Sequence, residues 1–316
     1  MGRVDSGATA WPRPAPARRR RIIGGRIPVS LALVLVVAAV DAILLGAVLA
    51  GRAADPTIAP PSVPAAATAR EAPSRQPLLD LADASFAVES RTLGSCAEGG
   101  AELRVTEDGG RTWVDIPSPT AAVFSVSAPQ PRMLAAVGAN ARCTARPFRS
   151  ADLGQTWTRA PDTVGIWYAG TDANGTAILH SPAGDIESPC ASGAPVRHLE
   201  GISLDRGFAL CAGEPIYRTG DSGRFWQAGQ PVSAVAISFP SSTTGFAATT
   251  DDPECPGIRL LVSDDAGLSW ANAACVADAE PVTEVGLDFV DGVTGMLRAG
   301  SDTFVTDDGG ATWTRP

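Results

Sequence analysis

An eight-residue pattern that recurs five times constrains the fold of this chain more than any other feature of its sequence. The copies are TEDGGRTW from Thr106, SADLGQTW from Ser150, TGDSGRFW from Thr219, SDDAGLSW from Ser263 and TDDGGATW from Thr306. The aspartates at the third position of these octets are spaced by 44, 69, 44 and 43 residues. A repeat with this spacing indicates a chain built from small structural units of similar size.

One spacing differs from the others and points to a unit without an octet. The gap of 69 residues is too long for one unit and too short for two complete ones. Residues 178–188, ILHSPAGDIES, keep the sequence character of a strand, a turn and a second strand, with Gly184 and Asp185 placed at the turn. We interpret this segment as a shortened unit, which brings the number of units to six.

The front half of each unit also has the character of a β-sheet. Residues 235–248, 285–299 and 202–212 share an alternating strand, a polar turn, and a glycine before a second strand. Four short strands in about 40 residues are typical of a propeller blade. Residues 78–316 supply about 40 residues for each of six units. The sequence therefore predicts an all-β domain, a six-bladed β-propeller, over residues 78–316, with seven blades less favoured.

The octets match the Asp-box, or BNR, repeat. Together with their front halves they resemble the propellers of photosystem II stability and assembly factor-like proteins and of the sialidase superfamily. The resemblance implies that each octet is the turn between the third and fourth strands of a blade, with a structural role for its aspartate, a glycine and the tryptophan. These residues are Asp108, Gly110, Trp113, Asp152, Gly154, Trp157, Asp221, Gly223, Trp226, Asp265, Gly267, Trp270, Asp308, Gly310 and Trp313.

The residue types of the last octet fit such a turn. Asp308 can accept hydrogen bonds from turn amides, and Gly310 can supply a positive φ. Thr312 can bond to the backbone across the turn, and Trp313 can bury its ring between sheets. The octet of the fourth unit departs from the pattern, because Phe225 stands where a hydroxyl is expected. A structural turn tolerates that departure more easily than a ligand site would.

The N-terminal part of the chain predicts a membrane anchor and a linker. The apolar run at residues 27–51 is long enough to span a bilayer as a single helix. Seven arginines and one acidic residue in residues 1–26 predict a cytoplasmic tail and a propeller on the extracytoplasmic side of the plasma membrane. A cleaved signal peptide is the alternative. Asp41 in the span is either a contact to a partner helix or a tolerated polar group. Residues 52–77, rich in Pro and Ala, predict an extended linker.

The charge of the chain argues against nucleic acid as a ligand. All 25 basic residues are arginine, which we interpret as the codon bias of a GC-rich, actinobacterial type of genome. From residue 52 onward, 18 arginines stand against 32 acidic residues, a net charge of about −14. A domain with this charge is repelled by phosphate backbones and by anionic lipid headgroups.

All six cysteines follow the apolar run, as expected of disulfides in an oxidising compartment. Proximity in sequence favours the pairs Cys96 with Cys143, Cys190 with Cys211, and Cys255 with Cys275. Metal binding is the alternative, but the chain has no CxxC pair and only two histidines, His180 and His198. We expect neither a metal nor a cofactor.

The resemblance to sialidases raises the question of catalysis. It would imply three arginines that hold a carboxylate, a tyrosine with a glutamate as nucleophile, and an aspartate as acid and base. Tyr217 lies near Glu214 and Arg218, and these three residues are the catalytic candidates. The alternative is that they belong to the third strand leading into the octet at Thr219. The sequence contains no other catalytic motif.

These features together predict a membrane-anchored propeller that works as a non-enzymatic binding or assembly scaffold in the bacterial cell envelope. Its expected partner is an envelope protein, a peptide or a cell-wall glycan. A sialidase-like glycoside hydrolase or a glycan-binding lectin is the alternative.

Overall fold

A computed structural model describes residues 77–92, 96–161, 166–172, 174–191, 194–279, 282 and 284–316. These residues form 22 strands in six antiparallel sheets. The predicted cytoplasmic tail, membrane span and linker lie outside the described residues, apart from Pro77. Among the described residues, we find no helix with the length and hydropathy needed to cross a membrane.

Each sheet is one blade and is contiguous in sequence. Blade 1 contains β1 (Leu78–Leu81), β2 (Ala87–Thr92), β3 (Ala101–Thr106) and β4 (Val114–Ile116). Blade 2 contains β5 (Ala122–Gln130), β6 (Met133–Ala139), β7 (Ala145–Ser150) and β8 (Thr158–Arg159). Blade 3 contains β9 (Tyr168–Thr171), β10 (Ala177–Ser181) and β11 (Gly184–Ile186).

The second half of the ring follows the same order. Blade 4 contains β12 (Val196–Gly201), β13 (Gly207–Cys211), β14 (Ile216–Thr219) and β15 (Gln227–Ala228). Blade 5 contains β16 (Ala236–Ser238), β17 (Gly245–Thr249), β18 (Ile258–Ser263) and β19 (Ala271–Val276). Blade 6 contains β20 (Val285–Phe289), β21 (Gly295–Ala299) and β22 (Asp302–Thr306), and Thr314 extends it through a bridge to Val305.

The innermost strands close a ring. Strands β1, β5, β9, β12, β16 and β20 contact one another in this order, and β20 contacts β1. The predicted six-bladed β-propeller is therefore confirmed. Every blade is contiguous in sequence, and no strand is exchanged between the first and last blades within the described residues. The ring closes through side-chain packing and through hydrogen bonds from side chains to the backbone.

The antiparallel order gives the ring two faces. The turns between the first and second strands and the octet turns between the third and fourth strands lie at one end of each blade, which we call the octet face. The turns between the second and third strands and the connections between blades lie at the other end, which we call the disulfide face. The described chain enters β1 at the disulfide face.

Aromatic side chains fill the seams between blades. Phe208 stacks on Phe239 at a centroid distance of 3.4 Å, and Phe246 stacks on Phe289 at 3.6 Å. These pairs join blade 4 to blade 5 and blade 5 to blade 6. In the seam between blades 3 and 4, Trp167 fills the corresponding space, because its ring lies directly against Gly201 and Gly207. The glycines that end β12 and begin β13 thus leave room for an indole instead of a phenyl ring.

The shortened unit differs in detail from the prediction. Blade 3 has three strands, and its last hairpin turns at residues 182 and 183. Gly184 and Asp185, which we placed at the turn, instead begin β11, where they pair with Ser181 and His180. The expectation of four strands in each unit is likewise wrong for blade 6, where the bridge at Thr314 takes the place of a complete fourth strand.

Candidate functional site

Each octet forms a turn held by its own side chains. In the last copy, the Thr306 hydroxyl donates to Asp308 Oδ1 over 2.8 Å and accepts from the Gly310 amide over 3.0 Å. The Thr312 amide donates to Asp308 Oδ1 over 2.9 Å, and the Thr312 hydroxyl donates to Oδ2 over 2.6 Å. The threonine at the seventh position therefore bonds to the aspartate, not to the backbone across the turn. The copies in blades 1, 2 and 5 have the same set of bonds.

The fifth residue of the octet requires glycine for two reasons. Gly110 and Gly310 have φ values of 89° and 81°, which side-chain-bearing residues rarely adopt. A Cβ atom at Gly110 would also collide with Thr303, and one at Gly223 would collide with Ile186. Both neighbours belong to the preceding blade, so an octet packs against the blade before it as well as shaping its own turn.

The hydrogen bonds in the octets favour the charged form of their aspartates. The side-chain and amide bonds from the seventh residue lower the pKa of Asp152, Asp265 and Asp308 to about 2. The same kind of bond lowers the pKa of Asp108 and Asp221. Each carboxylate is occupied by donors from its own turn, which fits the structural role that the sequence predicts.

The blade 4 octet lacks one of these bonds. The Phe225 amide donates to Asp221 Oδ1 over 3.0 Å, but phenylalanine has no hydroxyl for Oδ2. The Phe225 ring is 80 % exposed. Leu204, in the turn before β13, is 66 % exposed, and its carbonyl accepts a bond of 3.0 Å from the Ser222 hydroxyl of the same octet. Blade 4 thus presents two apolar side chains on the octet face.

Three disulfides join the six cysteines. They are Cys96–Cys143, Cys190–Cys211 and Cys255–Cys275, the pairs expected from proximity in sequence. All three lie at the disulfide face, and Cys96–Cys143 links blade 1 to blade 2. Disulfides suit an oxidising environment.

The three catalytic candidates are neighbours on and before β14, and each forms hydrogen bonds within the protein. The Tyr217 hydroxyl donates to Glu214 Oε2 over 2.9 Å, and both Glu214 oxygens accept the Ala191 amide, at 2.9 and 3.1 Å. Burial, and then the bond and charge of Glu214, raise the pKa of Tyr217. Arg218 donates to Gln227 and to the Asp265 carbonyl.

The structure contains a cluster of three arginines around one carboxylate. That carboxylate is the side chain of Glu89 of the protein itself, so the cluster is not free to hold a ligand. Glu89 on β2 contacts Arg91 at 3.1 Å, Arg104 at 2.7 Å and Arg298 at 3.5 Å. The Glu89 and Arg298 side chains are 1 % exposed. Arg298 also donates to Thr303 over 2.6 Å and lies 4.8 Å from the centre of the Trp113 ring. This cluster stabilises the seam between blades 6 and 1.

The inner strands carry a repeated polar contact that the sequence patterns did not reveal. A side chain near the end of one inner strand accepts a hydrogen bond from an amide of the next blade. The pairs are Asp80 with Ala128 at 2.7 Å, Glu200 with Phe239 at 2.8 Å, Ser238 with Phe289 at 3.0 Å, and Asp288 with Leu81 at 2.7 Å. We call these four contacts the inner clasps.

The carboxylates of the inner clasps lie close enough to influence one another. Burial raises the pKa of Asp80 to about 6. Burial, and then the charge of Asp80, raise the pKa of Asp288 to about 7. Burial, and then the charges of Asp288 and Asp80, raise the pKa of Glu200 to about 8. These residues come from blades 1, 6 and 4, so the clasps converge on the axis of the ring.

One signal in the sequence could have located the clasps. In three of the four cases, those of Asp80, Ser238 and Asp288, the next residue in the chain donates its amide to the clasp of the preceding blade. Aligning the ends of the first strands of the six units would have placed Asp80, Glu200, Ser238 and Asp288 at one repeat position. The octets dominated the repeat, so this second signal was missed.

The described residues contain no group of three or more His, Cys, Asp or Glu side chains arranged to hold a metal ion. His198 lies on β12, and burial lowers its pKa to about 4, which keeps the imidazole neutral. His180 Nδ1 lies 2.9 Å from Asp185 Oδ1 in blade 3.

The fold and these sites define a class: a six-bladed β-propeller whose octet turns pack against the preceding blade. No protein-family model matches the chain. No curated protein sequence matches it.

Comparison with solved structures finds similarity at low sequence identity. The GH74 xyloglucanase from Xanthomonas campestris is 16 % identical with a TM-score of 0.40, covering 74 % of this chain and 45 % of its own. YCF48 from Cyanidioschyzon merolae is 14 % identical with a TM-score of 0.38, covering 77 % of this chain and 86 % of its own. The Hadza microbial sialidase Hz136 is 12 % identical with a TM-score of 0.44. The match covers 71 % of this chain and 63 % of the sialidase chain. The likeness concerns the fold, and the chain spans under half of the xyloglucanase.

Proposed function

We propose that this protein is a non-enzymatic binding or assembly scaffold of the bacterial cell envelope, held at the membrane by residues 27–51, with its propeller on the extracytoplasmic side. The observation that carries the proposal is the exposed Phe225 in the blade 4 octet. The three disulfides support an oxidising compartment.

Phe225 breaks a structural rule that the other octets obey. In blades 1, 2, 5 and 6 a hydroxyl at this position donates to the octet aspartate at 2.6 or 2.7 Å. Blade 4 lacks that bond, and the Phe225 side chain in its place is 80 % exposed to solvent. A residue that costs stability without a gain in packing is a candidate for function.

The surroundings of Phe225 suit a protein partner. Leu204 is exposed beside the same octet, and the exposed residues Arg206 and Arg224 flank the two apolar side chains in sequence. Aromatic residues and arginines are enriched at the energetic centres of protein interfaces. The octet face of blade 4 is therefore the proposed contact surface.

The proposal is tested by cross-linking the full-length protein in native membranes. Replacing Phe225→Thr restores the octet pattern, so we expect the unfolding midpoint to rise by roughly 1–3 °C while capture of the partner falls severalfold. Met133→Thr is the matched control, because Met133 is 41 % exposed on the octet face of blade 2. That variant should capture the same partner as the wild type.

Two results would contradict the scaffold role at blade 4. One is a failure of the wild-type protein to capture any reproducible partner. The other is equal capture by the wild type and by the more stable Phe225→Thr variant.

A glycosidase is the second candidate function, favoured by one observation, the 2.9 Å bond between Tyr217 and Glu214. The cleavage of fluorogenic sialosides or aryl glycosides by the purified, oxidised protein, and its loss in Tyr217→Phe, would support this alternative. Because Glu214 also holds the Ala191 amide, and because the three-arginine cluster is occupied by Glu89, we expect no cleavage above background.

A further inference from the structure

A cleft at the disulfide face, between the outer strands of blade 2 and the start of blade 3, combines two exposed arginines with an aromatic side chain. Its volume is about 350 Å³. It is lined by Thr144, Ala145, Arg146, Pro147, Arg159, Pro161 and Tyr168. This cleft is separate from the Phe225 surface, which lies at the octet face of blade 4.

The register of β7 and β8 brings the two arginines to one face of the sheet. Arg159 pairs with Phe148, and Arg146 lies two residues before Phe148 on the same strand. Directly paired residues and residues two apart project from the same side of a strand pair. Arg149 pairs with Thr158 and projects from the opposite side.

Neither arginine has an acidic partner among the described residues. Within the residues that the structure describes, Arg146 donates to the Ala145 carbonyl alone, over 2.9 Å, and the Arg159 side chain forms no hydrogen bond or ion pair. Both side chains belong to exposed residues of a domain whose net charge is strongly negative. Six of the other described arginines contact a carboxylate, namely Arg91, Arg104, Arg132, Arg259, Arg298 and Arg315.

Tyr168 adds a third donor and a rigid wall. Its ring stacks on His180 at 4.7 Å and lies 6.1 Å from the Phe124 ring, so it is fixed in place. Its hydroxyl has no hydrogen-bond partner in the part of the chain that the structure describes. The nearby carboxylate of Asp185 is held by His180. The polar groups of the cleft are mainly donors, while Ala145, Pro147 and Pro161 form apolar walls.

We propose that this cleft binds an oxyanion, a carboxylate or a phosphate, carried on a ring-sized apolar or sugar moiety. Guanidinium groups recognise both oxyanions through paired N–H donors, and the phenol can add one more bond. The walls of alanine and proline then contact the body of the ligand. The proposal adds a second site and does not depend on the partner surface at Phe225.

The probes are phenyl phosphate and benzoate, with benzyl alcohol as the neutral analogue, titrated calorimetrically into the full-length protein. We expect at least one oxyanion to bind and the alcohol not to bind, and the preferred probe tells a phosphate site from a carboxylate site. The double variant Arg146→Gln and Arg159→Gln should weaken binding about tenfold or more, because charge-assisted bonds are lost.

The matched control is Arg142→Gln with Arg149→Gln, which removes the same charge from blade 2 without touching the lining of the cleft. It should change the affinity by less than about twofold, since distant exposed charges are screened. Unfolding midpoints of both double variants establish that they are folded.

Three outcomes would overturn the proposal: no binding of either oxyanion, equal binding of benzyl alcohol, or an equal loss of affinity in the control variant. Phe225→Thr should leave the probe affinity unchanged. A failure at the cleft is therefore distinguishable from a failure of the scaffold role.

Discussion

At the scale of single residues, the octets show how one aspartate organises a turn. Asp308 accepts two bonds from Thr312 and one from Thr306, all within six residues of chain. The tryptophan of the octet has a different task. Trp313 meets Phe289 edge-on at 5.8 Å and packs against the core shared by blades 5 and 6. Polar bonds shape the turn, and the indole attaches it to the sheet.

Asp308→Ala should lower the unfolding midpoint by a few degrees, because the Thr312 amide and hydroxyl lose their acceptor. Asp307→Ala is the matched control, since the exposed neighbouring carboxylate makes none of the octet bonds. Trp313→Ala should lower the free energy of unfolding further, by about 3 kcal/mol, because it removes an indole that packs on the core. Thermal unfolding of the three variants tests this order, and an equal effect of Asp307→Ala would contradict it.

At the scale of elements, the inner clasps connect four of the six neighbouring pairs of blades. Three of the four acceptors are carboxylates with a raised pKa, and one is the Ser238 hydroxyl. A carboxyl group whose pKa is higher in the folded state binds protons more tightly there than in the unfolded chain. Its contribution to stability is therefore present at low pH and is lost as the pH rises through the folded-state pKa.

The clasps predict that stability rises when the pH falls from 8.5 to 6.5. Asp288 and Glu200, with pKa values of about 7 and 8, titrate in this window. The lowered pKa of His198 opposes the trend only below the ordinary histidine pKa of about 6.5. The unfolding midpoint should rise by roughly 5 °C, and the double variant Asp288→Asn and Glu200→Gln should flatten this dependence.

The double variant Glu102→Gln and Asp307→Asn serves as the control for the pH effect. It removes two exposed carboxyl groups outside the clasps, so the difference between the midpoints at the two pH values should be kept. A wild-type protein that is equally stable at pH 6.5 and 8.5 would show that the clasp carboxylates do not act as described.

At the scale of the whole molecule, the seam between blades 6 and 1 decides whether the ring stays closed. No strand exchange and no disulfide crosses this seam among the described residues. Closure depends on the clasp from Asp288 to Leu81, on Trp113 bonded to Thr303 at 3.1 Å, and on the Glu89 cluster.

Glu89→Gln should open this seam. The substitution leaves the buried Arg298 and its two neighbours without a compensating charge, which we expect to cost about 3 kcal/mol or more. Hydrogen exchange should accelerate first in blades 1 and 6. Glu102→Gln, on the exposed side of β3, is the matched control and should leave exchange unchanged. Uniform acceleration in all blades would contradict a local role for the seam.

The sequence by itself determined the parts of this protein whose interactions are local. The octets bond within about seven residues, and each hairpin pairs neighbouring strands, so five visible copies and their spacing were enough to predict six blades. The proximity of the cysteines in sequence was enough to predict the three disulfides. The shortened blade 3 was found for the same reason, although its turn was misplaced by two residues.

Only the tertiary structure decided how the blades meet. Leu81 and Asp288 are 207 residues apart, and Trp113 and Thr303 are 190 apart, so no local pattern indicates their contact. The cleft formed by Arg146, Arg159 and Tyr168 lies where blades 2 and 3 meet, and the exposure of Phe225 depends on which neighbours pack against blade 4, so neither is indicated by a local pattern. Residues distant in sequence are brought together by ring closure, because each blade buries its faces against its neighbours.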